Sequence, residues 1–441
     1  MTHSYPRRPQ AVAAAQAAIK QLNTEVNAVI SDQLVPAADP GANPVPVLVK
    51  DCMDVRGLPT TCGSRLYAQA GPAAGTATVV ARLQAQNAAI VGKANLTEFC
   101  FGATGENEHF GNCLNPWATD RITGGSSSGS AAAVASGMVR VALGTDTGGS
   151  VRIPAALCGV VGLRPTVGRV PNTGCLAVST ISDTIGPLAA TVAEACWVYD
   201  IIQGYDAADP LSIAAGPSTL STLHHGIAGF SVGVLRGFFA EALAPDIESA
   251  LAEVGRLLEK AGARLADVQP TDNNALSEHH AFRFILADVA EARGPLMADA
   301  GHRAAIGAEV RRRIALGQQV TGTEYAASIR ALLALKQWLR SVFDSGIDLL
   351  LLPTTPVTAP LWRDADDMVE TTRLVSRFTY DLGASGMPSV SVPMGLDRDG
   401  LPMGALLAAP WGEEARLLRA AQAIEEGLAL TERPAVYARD N

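Results

Sequence analysis

Residues 123–154 read TGGSSSGSAAAVASGMVRVALGTDTGGSVRIP and hold two Gly-Gly-Ser turns, ending at Ser126 and Ser150, 24 residues apart. Between them the chain is mostly Ala, Val, Gly and Ser. Side chains this small permit close packing, and glycine lets a backbone turn sharply and come near a ligand. Residues 130–139 predict a small-residue helix, and VRVALGTD (139–146) predicts a strand. A hydroxyl after a Gly-Gly pair can serve as nucleophile or proton relay, and the N–H groups beside it can hold an anion. Two such turns so close together point to one site.

The rest of the chain sets strands between helices. Strand-like runs occur at 45–49 (VPVLV), 88–95 (AAIVGKAN), 229–237, 347–356 (IDLLLLPTTP) and 388–396 (PSVSVPMGL). ALCGVVGLRPT, after Pro154, also reads as strand. Helical stretches are expected at 9–30, 76–87, 191–203, 244–262, 275–343 and 412–428. Residues 31–45 read as Pro/Asp/Gly-rich loop, and 205–225 as a surface excursion. This alternation implies a mainly parallel sheet covered on both faces. A chain of 441 residues suits one large α/β domain or two smaller ones.

Composition narrows the function. The chain is 48% hydrophobic and 17% charged, which favours a large buried core over disorder. A net charge of −9 argues against nucleic acid as the main partner. The seven cysteines (Cys52, Cys62, Cys100, Cys113, Cys158, Cys175 and Cys196) are scattered without a CxxC pair. That fits reduced thiols in a cytoplasmic protein better than a disulfide frame or zinc site. The N-terminal residues lack an apolar core of signal-peptide length, and no segment is long and apolar enough to span a membrane.

Three positions carry the candidate chemistry, each with a plainer reading. Ser150 follows a predicted strand, where the N–H groups of Thr147, Gly148, Gly149 and Ser150 could form an anion-binding nest beside a nucleophile. It could equally be a helix N-cap. Ser126 could be a cap too, while Gly125–Gly129 matches a G-x-S-x-G nucleophile elbow centred on Ser127. An elbow needs a strand before it, and Asn115–Ile122 reads as loop. Lys50 ends an otherwise uncharged strand. It either snorkels or pairs with Asp51, or is a desolvated lysine able to act as a base. Asp146 and Arg152 flank Ser150 and are expected to pair beneath its loop. Cys100 and Cys158 read as core thiols.

Together these elements resemble the amidase signature family. The resemblance runs from about Val45 to Glu426 and rests on VLVKD (47–51), GLPTTCGS (57–64), IVGKANLTEF (90–99), GGSSSGSAAAVASG (124–137), GTDTGGSVRIPAALCGVVGLRPT (144–166), GRV (168–170), SDTIGPLA (182–189), LLLPTTP (350–356), GMPSVSVP (386–393) and DGLPMGALL (399–407). It implies a single domain over 1–441, with a central mixed, mainly parallel twisted sheet and helices on both faces. The catalytic core would lie at about 45–200 and 345–430, and a variable, mostly helical region at about 205–345. It also implies Ser150 as nucleophile, Ser126 as bridging serine after a cis Gly125–Ser126 bond, and Lys50 as base. Thr147, Gly148, Gly149 and Ser150 would supply oxyanion-hole N–H groups, and Ser127, Asp146 and Arg152 would buttress them. No metal or cofactor is required.

The implied activity is hydrolysis of a small-molecule linear amide through a Ser150 acyl-enzyme, with neither nucleic acid nor membrane as partner and a homodimer as one assembly to consider. Two alternatives share the fold: a hydrolase of carbamoyl or biuret-like compounds, and the A subunit of a tRNA-dependent amidotransferase. A third is a non-catalytic binder, which the three filled positions disfavour. The loop GENEHFGN (105–112) departs from the family's pattern, so Glu108 and His109 are expected at the substrate pocket. The segment before Lys50 is also short for the family.

Overall fold

In the computed structural model, which describes residues 4–6, 9–39, 41–270, 278–364 and 367–437, one sheet of 11 strands organises the chain. The strands are β1 (Val29–Ser31), β2 (Val45–Lys50), β3 (Ala88–Ala94), β4 (Val141–Asp146), β5 (Val161–Arg164), β6 (Thr184–Ala189), β7 (Ser231–Leu235), β8 (Arg264–Val268), β9 (Leu349–Pro353), β10 (Ser389–Leu396) and β11 (Pro402–Ala408). Their order across the sheet is β1-β3-β2-β4-β6-β5-β10-β11-β9-β7-β8. The sheet is mixed, as expected, but parallel pairs do not dominate it. Parallel pairing is confined to the trios β3-β2-β4 and β9-β7-β8. The remaining six pairings are antiparallel. Four of the six come from two strands the periodicity did not reveal: β6 inserts between β4 and β5, and β11 returns beside β10 through the tight turn after Leu396.

Both faces of the sheet are covered. Along β2 and β4 the side chains alternate between two cores: Val47, Val49, Val141 and Leu143 enter one, and Leu48 and Ala142 enter the other. Because both cores exclude water, these central strands read as continuous apolar runs. The second core is closed by the helix Ser128–Ala135, every residue of which is buried. Its small side chains are required by contact: a Cβ at Gly129 would fall 2.1 Å from the Ala28 carbonyl oxygen and 2.5 Å from Asn95 N. Enlarging such residues forces backbone shifts costing about 1–3 kcal/mol.

The segment after Pro154 corrects the strand expectation. Residues Arg152–Cys158 form a helix, and only Val161–Arg164 is strand. Proline is tolerated in a helix's first turn, where its missing N–H has no intrahelical partner to lose. Gly159 then ends the helix in the left-handed region at φ 68°. The region 205–345 is mostly helical but also contributes β7 and β8 to the same sheet. The helical stretch expected at 275–343 is observed as the helices Glu278–Arg293, Ala300–Ala305, Ala308–Gln318 and Gly322–Asp344, and residues 275–277 lie outside those described. Among the described residues no helix is long and apolar enough to cross a membrane, and no His/Cys/Asp/Glu group could hold a metal ion. All seven cysteines are free; six are buried and Cys175 is half-buried.

Candidate active site

Neighbouring strands β2 and β4 run parallel and end at the same edge of the sheet, so Lys50 and Thr145–Asp146 emerge side by side. Carboxyl ends of parallel strands are where α/β sheets place ligands. Lys50 is completely buried. Its Nζ lies 2.7 Å from Ser126 Oγ and 2.7 Å from Thr145 Oγ1 and donates to both. The alternative partner Asp51 is taken elsewhere, in a 2.7 Å ion pair with Lys93. Among the described residues no carboxylate lies within ion-pair distance of Lys50.

The Gly125–Ser126 peptide is cis. Ser127, next in the chain, locks this turn to β4: its hydroxyl donates to the Thr145 carbonyl (3.1 Å) and accepts from Thr145 N–H (3.2 Å). Ser127 N–H donates to the Ser150 carbonyl at 3.2 Å, which ties the two Gly-Gly-Ser turns together through their backbones. The expected contact between the Ser126 and Ser150 hydroxyls is not formed in this conformation. Catalytic hydrogen bonds are often long before substrate binds.

Beneath the Ser150 loop sits a buried ionic cluster. Asp146 takes a bidentate contact from Arg152 (2.9 and 2.9 Å) and one from Arg164 (2.8 Å), and all three side chains are fully buried. Burial alone would push the Asp146 carboxyl up, but the two guanidiniums together outweigh it and hold it well below the usual carboxylate range. Asp146 also accepts from the N–H groups of Gly149 (2.8 Å) and Val151 (3.1 Å). This corrects one expectation: Gly149 N–H faces the buttress, not the cavity. The N–H groups of Thr147, Gly148 and Ser150 have no hydrogen-bond partner among the described residues. Beyond them Asp183 accepts from the Thr147 hydroxyl (2.6 Å), and burial pushes its carboxyl up to about 6.

Ser150, Thr147 and Gly148 line a cavity of ≈ 30 Å³ with Cys100, Phe282, Tyr380, Thr372 and Arg313 among its other walls. Among the described residues Arg313 is the single charged one in its wall. It is 1% exposed and already held by Glu309 (2.8 Å) and Glu106 (3.2 Å).

Glu108 and His109 do not line this cavity, contrary to expectation. They brace its outer frame instead. His109 Nε2 lies 3.5 Å from Glu98 Oε1, and Glu108 accepts from Glu309 N–H at 3.3 Å. Glu98 also accepts from Ser64 (2.5 Å) and from Gly307 N–H (2.8 Å), just before the helix Ala308–Gln318 that carries Arg313. Burial pushes the Glu98 carboxyl up to about 7 and the His109 imidazole down.

Sequence reasoning missed Thr145, Arg164, Asp183 and Arg313. Arg164 lies in one of the family-like motifs (LRPT), and Arg313 lies in an RRRI run that reads as a solvated helix face.

A sequence model of the family described as Amidase matches residues 10–418. The A subunit of the Glutamyl-tRNA(Gln) amidotransferase of Synechococcus sp. (strain RCC307) is 37% identical over 418 residues, covering 90% of this chain and 86% of that protein. A solved structure described as an unexpected vestigial protein complex, bearing on the evolutionary origins of an s-triazine catabolic enzyme, superposes with a TM-score of 0.86. It is 30% identical and covers 94% of each chain. A 6-aminohexanoate cyclic dimer hydrolase complexed with substrate superposes with a TM-score of 0.85. It is 28% identical and covers 98% of this chain and 96% of that one.

Proposed function

The chain belongs to the amidase family, and we propose that within it the protein hydrolyses the C–N bond of small amides through an acyl-enzyme on Ser150. The observation that carries this reading is the buried 2.7 Å contact between Lys50 and Ser126, set behind a cavity lined by Ser150. Lys50 has two hydroxyls and no counter-ion, which suits a lysine serving as base.

In this reading Lys50 takes the Ser126 proton as Ser126 takes that of Ser150. Ser150 Oγ bonds to the substrate carbonyl carbon, and the resulting oxyanion accepts hydrogen bonds from the unpartnered N–H groups of the 147–150 loop. The relay returns the proton to the leaving nitrogen, the C–N bond breaks, and ammonia or an amine departs. Water, deprotonated by the same relay, then attacks the acyl carbon and frees Ser150 and the carboxylate. Asp146, Arg152, Arg164 and Ser127 hold the loop in shape. The polar wall residues Thr372 and Ser376 suit polar amides, carbamoyl compounds included.

A second reading has its own support: the 37% identity to the A subunit of an amidotransferase fits a chain that releases ammonia for use by a partner. An ammonia-release screen over aliphatic, aromatic and carbamoyl amides, with Ser150→Ala as blank, separates the two. Turnover by the isolated chain supports the first. Glutaminase activity that needs partner proteins and tRNA supports the second. Neither ammonia nor amine released under either condition refutes both.

A further inference from the structure

The geometry points to Thr379 as a positioning residue for the oxyanion hole, an inference that rests on the Ser150 reading above. Thr379 opens the buried helix Thr379–Ser385, 231 residues beyond Gly148 in the chain. Its hydroxyl lies 2.7 Å from the Gly148 carbonyl oxygen, the nearer of its two acceptors; the other, the Ser376 carbonyl one turn back, is at 3.1 Å. The N–H of the same peptide, on Gly149, donates to Asp146 Oδ1 at 2.8 Å. In a trans peptide C=O and N–H point in opposite directions, so this one unit is pinned at both ends, and its plane cannot rotate while both contacts hold.

The neighbouring peptides take their direction from it. Arg164 holds the Asp146 and Thr147 carbonyls, and Ile153 N–H holds the Gly149 carbonyl at 2.8 Å. With those carbonyls drawn into the protein, the N–H groups of Thr147, Gly148 and Ser150 point away from the buttress, and all three residues line the cavity. Thr379 supplies the one constraint in this set that comes from the far segment of the chain. Arg152 Nη2 in turn holds the Thr379 carbonyl at 3.1 Å, which joins the constraint to the ionic cluster. The fit also explains Gly149: its φ is +138°, and a Cβ there would fall 2.2 Å from Thr379 Oγ1.

The test compares wild type, Thr379→Val and Thr379→Ser in the rate of Ser150 phosphonylation by a fluorophosphonate probe, whose P=O uses the same N–H donors, with thermal midpoints measured in parallel. Losing one oxyanion donor costs about 10²–10³-fold in kcat. Thr379→Val, which loosens donors without deleting one, is expected to label about 10–100-fold more slowly. Thr379→Ser, which restores the hydroxyl, should recover to near the wild-type rate. If the valine variant does not fold, Thr379→Ala carries the same expectation. A valine or alanine variant that folds and labels as fast as wild type overturns the inference, as does a serine variant as slow as they are. A folded wild type that does not label at Ser150 overturns the catalytic reading itself, which is a different and recognisable result.

Discussion

Replacing Glu98 by Gln should make the protein less sensitive to pH. Glu98 is 3% exposed and accepts from Ser64 Oγ and Gly307 N–H. Burial lifts its carboxyl to about 7 against the hydrogen bonds from Ser64 and Gly307, with the nearby Glu108 adding to the rise. In the unfolded chain the value is ~4.3. A raised folded-state value means that the group's contribution is whole below the unfolded value and lost as pH rises through about 7. Linkage sets the loss between pH 5 and pH 8 at roughly 2.5 kcal/mol. Glutamine keeps the shape: its amide oxygen can accept from Gly307 and its NH₂ can donate to Ser64. Urea denaturation of both proteins at several pH values between 5 and 8 reads the effect. The gap between variant and wild type should move by about 2.5 kcal/mol in the variant's favour as pH rises. Parallel curves, shifting by less than ~0.5 kcal/mol, would refute the argument that Glu98 is proton-bound in the fold.

Lys50→Met is expected to slow Ser150 phosphonylation and ammonia release by about 10²–10⁴-fold, the usual worth of a general base; an unchanged rate removes Lys50 from the relay. Asp146→Asn strands two buried guanidiniums and should destabilise by about 3–5 kcal/mol, read by denaturant melts; a loss within ~1 kcal/mol contradicts the cluster's role. Because the Asp146 carboxyl is depressed, its contribution is present above the unfolded value of ~3.9 and lost as pH falls below it. His109→Ala should leave kcat/KM and the substrate profile unchanged, since His109 faces Glu98 and not the Ser150 cavity; an altered profile would return that loop to the substrate.

Much of this protein was decided locally and so could be read from order alone. Glycine pairs, a run of small residues and an uncharged strand ending in lysine are covalent facts. They led to Lys50, Ser126 and Ser150, and to Asp146 and Arg152 beneath the loop. The strands β2, β3, β4, β9 and β10 were legible because strands buried on both faces stay apolar throughout. The pairing directions were not, since β6 and β11 differ from loop only by the neighbours that complete their hydrogen bonds. The helix Arg152–Cys158 was hidden for a related reason: a buried helix and a buried strand are equally apolar over so short a run. Long-range contacts lay furthest from the sequence. Arg313 and Thr379 are ordinary residues in ordinary helices until the fold places one in the cavity wall and the other against Gly148. Peptide direction was decided last. Four consecutive N–H groups look alike in sequence, and only the contacts from Thr379 and Asp146 set that of Gly149 apart by turning it inward.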